Sequence, residues 1–426
     1  MTDSKGFNTK AIHSGAAPDP TTGARATPIY QTTSYVFENN DHAADLFAGR
    51  AFGNIYTRIM NPTQDVLEKR VAELEGGTAA LAVASGHAAQ FLAFHPLMSP
   101  GNEFIASNKL YGGSINQFNH SFKKFGWNVQ WANENEIDSY KRLVNEKTRA
   151  IFVESIANPG GIITDLEPIA KVAEDAGVPL IVDNTMATPY LCKPFNHGAN
   201  IIIHSLTKFL GGQGNSVGGI IVDGGNFDWS KNDKYPDLSQ PHPSYHGLKF
   251  HKTFGGMGYA IVCRFLALRD LGPAISPFNA FLILNGIETV PLRMKQHSSN
   301  ALEVAKFLES HSKVSWVSYA GLESNKYNNL AKKYCPGGSG AVFTFGLKGG
   351  FDAGVKLVNE VKLFSHLANI GDAKSLIIHP SSTTHSQLTE EQLEAAGAAK
   401  DVVRLSVGIE DASDIIADLK EALEKV

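Results

Sequence analysis

Ile201-Ile202-Ile203-His204-Ser205-Leu206-Thr207-Lys208-Phe209-Leu210-Gly211-Gly212-Gln213-Gly214 reads as a short apolar strand that ends on two hydroxyls, a lysine and a glycine turn. A brief apolar run bounded by turn residues is the pattern of a strand buried in the middle of a sheet. Ser205 and Thr207 stand at i and i+2, and Lys208 follows directly. A desolvated lysine has a lowered pKa and can act as an amine nucleophile. Two neighbouring hydroxyls can hold a phosphate. Four such residues more often mean no more than a strand end with an exposed lysine, so the rest of the chain must decide.

Upstream, apolar runs at Ala79–Ala84, Glu103–Ser107, Ala150–Glu154 and Pro179–Asp183 alternate with amphipathic stretches such as Asp165–Ala176. That alternation predicts an α/β architecture built on a largely parallel sheet. A helix is expected to start at Asn61-Pro62-Thr63, with Val66, Leu67, Val71 and Leu74 on one face. Residues 1–60 lack sustained periodicity and read as an N-terminal arm that packs on something else. Residues 226–256 are polar, aromatic and proline-rich and read as an ordered surface insertion. Beyond them, Tyr259–Leu271 and Leu282–His311 look helical, the second with a kink at Pro291. Val314–Tyr319, Ala341–Leu347, Leu376–Ile378 and Val402–Ser406 read as strands, interleaved with helices near Phe351–Val361 and Asp411–Val426. This predicts a smaller α/β unit with a mainly antiparallel sheet. The expected division is an arm at 1–60, a large domain at 61–260 and a small C-terminal domain with its linking helix at 261–426.

Composition narrows the function. The chain has 426 residues, 43% of them hydrophobic, ample for a core divided between two domains. The formal net charge is -4 and no long basic run occurs, which argues against nucleic acid and anionic membrane as partners. Cys192, Cys263 and Cys335 are far apart with no CxxC pair, so neither a disulfide framework nor a zinc site is expected, and a reducing cytoplasm fits. The N-terminal Met1-Thr2-Asp3-Ser4-Lys5 shows no apolar segment of a secretory signal, and no stretch has the length of a membrane span.

Further segments bear on Lys208. Ser85-Gly86-His87 forms a small-residue turn into a helix, which offers backbone N–H groups to an anion. Asp183 ends the apolar run Ile181-Val182, where α/β sheets present groups to a ligand. A carboxylate there can pair with a pyridine N–H; a turn or cap role is the plainer meaning. Tyr111 beside Gly112-Gly113 could lie flat on an aromatic ring, or be an ordinary turn tyrosine. Arg58, in Tyr56-Thr57-Arg58, offers a planar fork suited to phosphate, although a surface arginine is usually just solvated. Arg404 sits among Val402, Val403, Leu405 and Val407 and needs an anionic partner if buried. A substrate carboxylate and a structural ion pair are both open. Together these residues point to a lysine Schiff base with pyridoxal 5'-phosphate (PLP). No G-x-G-x-x-G follows the first strand, which argues against a dinucleotide enzyme. Lys208, Asp183 and Arg404 occurring together argue against a non-catalytic scaffold.

From about Thr9 to the C-terminus the chain resembles the Cys/Met-metabolism PLP-dependent enzymes. The resemblance rests on Tyr56-x-Arg58 with Asn61-Pro62-Thr63, Ser85-Gly86, Tyr111-Gly112-Gly113 and Glu154-Ser155-x-x-Asn158-Pro159. It continues through Asp183-Asn184-Thr185, Ser205-x-Thr207-Lys208-Phe209-Leu210-Gly211-Gly212 and Arg404-Leu405-Ser406-x-Gly408. Two residues depart from the family pattern. His87 replaces a common methionine, and Asn200 stands where Asp or Gln is usual; both are expected to be tolerated.

The resemblance implies an aspartate-aminotransferase-like fold (fold type I), with a mostly parallel seven-stranded sheet and a smaller C-terminal α/β domain. It implies that Lys208 carries the cofactor and moves protons, and that Tyr111 stacks on the ring and assists. Asp183 would pair with the ring nitrogen and Asn158 would lie near the ring hydroxyl. Ser85, Gly86, His87, Ser205 and Thr207 would surround the phosphate, joined by Tyr56 and Arg58 of a neighbouring subunit. Arg404, with Ser375, Asn158 and Tyr56, would bind substrate. A homodimer would then be needed for a complete site, and a homotetramer is expected. No metal is implied.

Segments Pro243–Gly247, Leu271–Ala280 and Gly371–Pro380 favour the branch that replaces the γ-substituent of O-acetyl-L-homoserine by sulfide or a thiol, in methionine and cysteine biosynthesis. The cystathionine γ-synthases and the methionine and cystathionine γ-lyases share the cofactor residues. Acetyl and succinyl esters are both compatible with them, as are sulfide, methanethiol and a carrier-protein sulfur donor.

Overall fold

The computed structural model describes residues 5–387, 389–395 and 397–426. Its larger sheet contains β1 (Ala79–Val83), β2 (Glu103–Ser107), β3 (Asn128–Ala132) and β4 (Thr148–Glu154). After a small hairpin, β5 (Ile156–Ala157) and β6 (Ile162–Ile163), come β7 (Leu180–Asp183), β8 (Ile201–Ser205) and β9 (Gly219–Asp223). Seven of these form one sheet in the order β1-β9-β8-β7-β4-β2-β3. β9 runs antiparallel to both its neighbours, and every other pairing is parallel. The expected mostly parallel seven-stranded sheet is what the chain forms.

Two strands of this sheet, β3 and β9, went unanticipated. β3 reads Asn-Val-Gln-Trp-Ala at the sheet edge, where only Ala132 is fully buried, so it lacks a continuous apolar run. β9 opens on Gly219, a poor strand former by composition. A Cβ there would fall 2.0 Å from the Ser85 carbonyl oxygen, so the strand can pass beneath that turn only with glycine.

Leu180, Ile181, Val182, Ile201, Ile202 and Ile203 are all buried, because helices and loops cover both sheet faces. Each such side chain contributes roughly 1.5–3 kcal/mol. The helix Pro62–Glu75 begins as its residues direct: Asn61 Oδ1 accepts from the Thr63 N–H at 2.9 Å, and Pro62 takes the first turn. Asn200 accepts from the Leu180 N–H at 2.9 Å and donates to Asn226, tying the start of β7 to the segment after β9.

Residues 226–256 are not simply a surface insertion. Trp229, Tyr235, Leu238, Tyr245 and Phe250 are buried. Trp229 stacks on Tyr259 at 5.1 Å and 10°, and the Tyr235 hydroxyl donates to the Arg149 carbonyl at 2.8 Å. The polar residues between these aromatics mask the apolar face they form together. The expected single kinked helix near 282–311 is instead two, Pro277–Glu288 and Val290–Ser310. Pro291 has no N–H to continue the first helix and sits in the opening turn of the second.

The smaller sheet holds β10 (Val314–Ser318), β11 (Val342–Leu347), β12 (Ser365–His366), β13 (Leu376–Ile378) and β14 (Val402–Ser406), in the order β10-β11-β14-β13-β12. It is antiparallel except where the two-residue β12 pairs with β13. Helices Gly350–Glu360 and Ala412–Lys425 bury Leu357, Val358, Ile415, Leu419 and Leu423. One apolar cluster runs from beneath the large sheet, through Val290, Met294, Ala301 and Val304, into the small sheet. That continuity docks the two sheets against each other. Within residues 5–60, helices Phe7–His13 and Asn40–Phe47 are joined by irregular chain, and Val36 and Phe52 are 99% and 79% exposed. Among the described residues, no helix is long and apolar enough to cross a membrane.

Candidate active site

The carboxyl ends of β4, β7 and β8 open on one edge of the sheet, the position where parallel sheets bind ligands. Their register sets Glu154 beside Asp183 and Asp183 beside Ile203. Ser205 ends β8 and the chain turns at once. Lys208 lies in that turn, mostly buried, and its Nζ donates to Asn369 Oδ1 at 2.5 Å. Burial and the nearby Arg404 charge bring its pKa down to about 8. The turn is held from below by the buried Arg293 guanidinium, which donates to the carbonyls of Phe209 and Gly286, both at 2.7 Å.

Beside the turn, helix Gly86–Phe94 starts at Ser85, whose Oγ accepts from the Ala88 N–H at 3.1 Å. The Gly86 and His87 N–H groups belong to the first turn, which has no intrahelical acceptors. A Cβ on Gly86 would come within 2.8 Å of Ser205 Cβ and 3.2 Å of Ser205 Oγ, so glycine leaves the helix start open against the hydroxyl. Thr207 Oγ1 donates to the Gly218 carbonyl at 3.2 Å and accepts from its N–H at 3.1 Å.

Tyr111 stacks on His87, with centroids 5.9 Å apart and planes 28° apart. Its N–H donates to Glu154 Oε1 at 2.6 Å. Asp183 Oδ1 accepts from the Thr185 N–H at 2.9 Å. Burial raises the pKa of Asp183, and burial together with Asp183 raises that of Glu154 to about 8. A cationic nitrogen facing Asp183 would relieve that cost.

Arg404, on β14 of the small sheet, closes the other side. Nη1 donates to Asn158 Oδ1 and Nη2 to the Asn369 carbonyl, each at 3.2 Å. Burial lowers its pKa to about 10. Among the described residues none of the ion pairs includes Arg404, so the alternative of a structural ion pair is not what the chain forms. A desolvated guanidinium with only neutral partners is a ready receptor for a carboxylate.

These groups line one cavity of about 230 Å³: Ser85, Gly86, His87, Tyr111, Asn158, Asp183, Ser205, Thr207, Lys208 and Arg404 all reach it. Ser375 does not. Its Oγ donates to Glu410 Oε2 and accepts from the Gly408 N–H, both at 2.9 Å, and it is fully buried beneath the site. The Ser375 hydroxyl is thus engaged by Glu410 and Gly408, and the fold does not bring it to the cavity wall. Tyr56 and Arg58 also lie away from their own chain's cavity. Arg58 stands over the Tyr56 ring at 5.4 Å and donates to the Arg269 carbonyl. A larger cleft of about 900 Å³, between the N-terminal segment and Phe254–Phe265, contains none of the expected site residues.

Sequence reasoning missed Glu154 and Asn369 as site residues. Glu154 had a signal, a lone acid closing the apolar run of β4, as Asp183 closes that of β7. Asn369 had none, since it lies in irregular chain of the small domain.

The donor set fits PLP: a primary amine, a buried carboxylate, and a helix start left open beside two hydroxyls. The family model for Cys/Met metabolism PLP-dependent enzymes matches residues 8–424. The chain is 52% identical to an O-acetyl-L-homoserine sulfhydrylase of Leptospira meyeri, over 98% of this chain and 96% of that one. It is 50% identical to a homocysteine synthase of Schizosaccharomyces pombe, over 99% of both chains. A crystal structure of an O-acetylhomoserine (thiol)-lyase from Campylobacter jejuni superposes with a TM-score of 0.95 at 42% identity, covering 99% of this chain and 100% of that one. That structure carries N'-pyridoxyl-lysine-5'-monophosphate.

Proposed function

The chain belongs to the Cys/Met metabolism PLP-dependent enzymes, and we propose that it is an O-acetylhomoserine sulfhydrylase. The reaction is replacement of the acetoxy group on Cγ of O-acetyl-L-homoserine by sulfide or a thiol. The products are L-homocysteine or methionine, with acetate. The observation that carries this reading is the convergence of Lys208, Asp183 and the unpaired Arg404 guanidinium in one cavity. The naming of relatives at about 50% identity supports replacement over elimination.

Bound PLP supplies an electron sink for negative charge that develops on the substrate carbons. Asp183 would face the ring nitrogen as a carboxylate, its charge favouring the N–H form, and that cation would offset the burial that otherwise raises the acid's pKa. The N–H groups of Gly86 and His87 and the hydroxyls of Ser205 and Thr207 hold the phosphate, with Ser85 capping that helix. Tyr111 would cover the ring, and Asn158 would lie near its hydroxyl. Arg404 takes the substrate α-carboxylate, which aims Cα and Cβ at Lys208. Nζ of Lys208, with its pKa near 8, would take the proton from Cα and, once it has given that proton up, take one from Cβ, so that acetate can leave from Cγ. Tyr111 assists these transfers. Sulfide then adds at Cγ, and protons return to Cβ and Cα.

Tyr56 and Arg58 serve the phosphate and substrate of a second copy, so the working unit is a homodimer, paired further into a homotetramer. A cytoplasmic setting suits the three buried free thiols.

The test is to give the purified holoenzyme O-acetylhomoserine with sulfide, O-succinylhomoserine with sulfide, and methionine or cystathionine alone, identifying products by mass. Homocysteine from the acetyl ester is expected. Ammonia and an α-keto acid as main products would overturn the reading. Borohydride reduction should fix cofactor on the Lys208 peptide of wild type and leave none there in Lys208→Ala.

A further inference from the structure

Glu154 is a buried carboxylate without a cation. It is 4% exposed, and among the described residues its side chain pairs with no lysine, arginine or histidine. It lies next to a second carboxylate, Asp183, across the β4–β7 register. A buried acid in such company costs more than an apolar residue of the same size.

Each of its oxygens holds a different loop. Oε1 accepts from the Tyr111 N–H at 2.6 Å, and Oε2 from the Asn158 N–H at 3.0 Å. Tyr111 is the stacking face of the cavity. Asn158 is the residue whose Oδ1 accepts from Arg404 Nη1 at 3.2 Å. Glu154 itself is anchored at the end of β4, where its carbonyl accepts from Thr164 Oγ1 at 2.6 Å. The connection therefore runs from a rigid strand end, through one carboxylate, to both walls of the site. Glutamate presents one oxygen to each of the two N–H groups, and glutamine has only one oxygen to offer.

We propose that Glu154 is a positioning residue whose two oxygens set the Tyr111 loop and the Asn158 loop in register, and that through Asn158 it aims Arg404 at the α-carboxylate of the substrate. This deepens the sulfhydrylase reading and rests on it, specifically on Arg404 as carboxylate receptor. Glutamine at 154 keeps the volume but has one acceptor oxygen; its amide would face one of the two N–H groups. Aspartate keeps both acceptors on a shorter arm.

The experiment measures binding of L-alanine and of L-alaninamide to the holoenzyme by calorimetry, in wild type, Glu154→Gln, Glu154→Asp and Arg404→Ala. The readout is the ratio of the two dissociation constants, with melting temperature as a check on the fold. Glu154→Gln is expected to reduce the preference for alanine at least tenfold by weakening alanine alone. Glu154→Asp is expected to reduce it less, and it decides the matter with a threefold threshold if Glu154→Gln fails to fold or to hold cofactor. An unchanged ratio, or equal weakening of both ligands, would mean a merely structural role and overturn the proposal. If Arg404→Ala leaves the preference intact, the carboxylate reading of Arg404 is wrong and both fall. If Arg404→Ala abolishes the preference while the Glu154 variants keep it, only the proposal for Glu154 falls.

Discussion

Lys208 and Asn369 are 161 positions apart in the chain, yet Nζ of the first donates to Oδ1 of the second at 2.5 Å. The same Asn369 accepts from Arg404 through its backbone carbonyl. One small-domain residue thus touches both the amine and the guanidinium, and its two contacts depend on how the small sheet docks on the large one.

Removing that side chain should leave the lysine aimed less well. Asn369→Ala is expected to lower kcat by about tenfold to a hundredfold, in the range that small misplacements of a catalytic group produce, while cofactor still binds. Steady-state kinetics with cofactor content measured in parallel checks this. An unaltered kcat would separate Asn369 from the chemistry.

The lowered pKa of Lys208 has a consequence for the apoprotein. In the unfolded chain the amine titrates near 10.5, and in the fold near 8. Below pH 8 it is protonated in both states, and the fold bears the full cost of a buried charge. Between those values the unfolded state binds more protons, so stability rises with pH and the cost disappears. Lys208→Met should therefore stabilise the apoprotein by up to about 3 kcal/mol at pH 7, with the gain shrinking through pH 8 to 10.5. Denaturant melts at several pH values measure it, and a gain that grows with pH would contradict the sign.

At Gly86 the space is already taken. The added methyl of Gly86→Ala would meet Ser205 Cβ at 2.8 Å, pushing the helix start away from the hydroxyl. Cofactor affinity should fall roughly tenfold or more, equivalent to about 1.4 kcal/mol. Equilibrium dialysis of the apoprotein with PLP reads this directly. Full affinity would mean that the phosphate does not lie at this helix.

The aromatic packing of 226–256 predicts an effect on stability at a distance from the site. Trp229 is buried and stacked on Tyr259, so Trp229→Ala should cost about 3–5 kcal/mol. Denaturant unfolding checks it. A loss under 1 kcal/mol would restore the view of this segment as a surface insertion.

Much of the site could be read from local chemistry. Asp183, Ser205 and Lys208 follow apolar runs that had to be buried strands, so their side chains had to emerge at strand ends. Gly86 and Ser85 announced a helix start, and the apolar flanks of Arg404 announced burial. Reading failed where a role depended on distant partners. Ser375 directly precedes β13, the strand paired with that of Arg404, but Glu410 and Gly408 engage its hydroxyl. β3 was missed because an edge strand carries no continuous apolar run, whereas the short run Ile220-Ile221-Val222 of β9 was passed over between its flanking glycines.

Local sequence was enough for the central strands that carry the site, for their ends and for the chemistry there, because hydrophobic period and turn residues act within a few positions. That Asn369 meets Lys208, that Asn158 meets Arg404, and that Glu154 holds both Tyr111 and Asn158 follows from long-range packing instead. The apolar burial that docks the two sheets is strong but non-directional. It brings the domains together without naming the polar partners, and hydrogen bonds, which need close distance and angle, are settled only once the packed surfaces are in place.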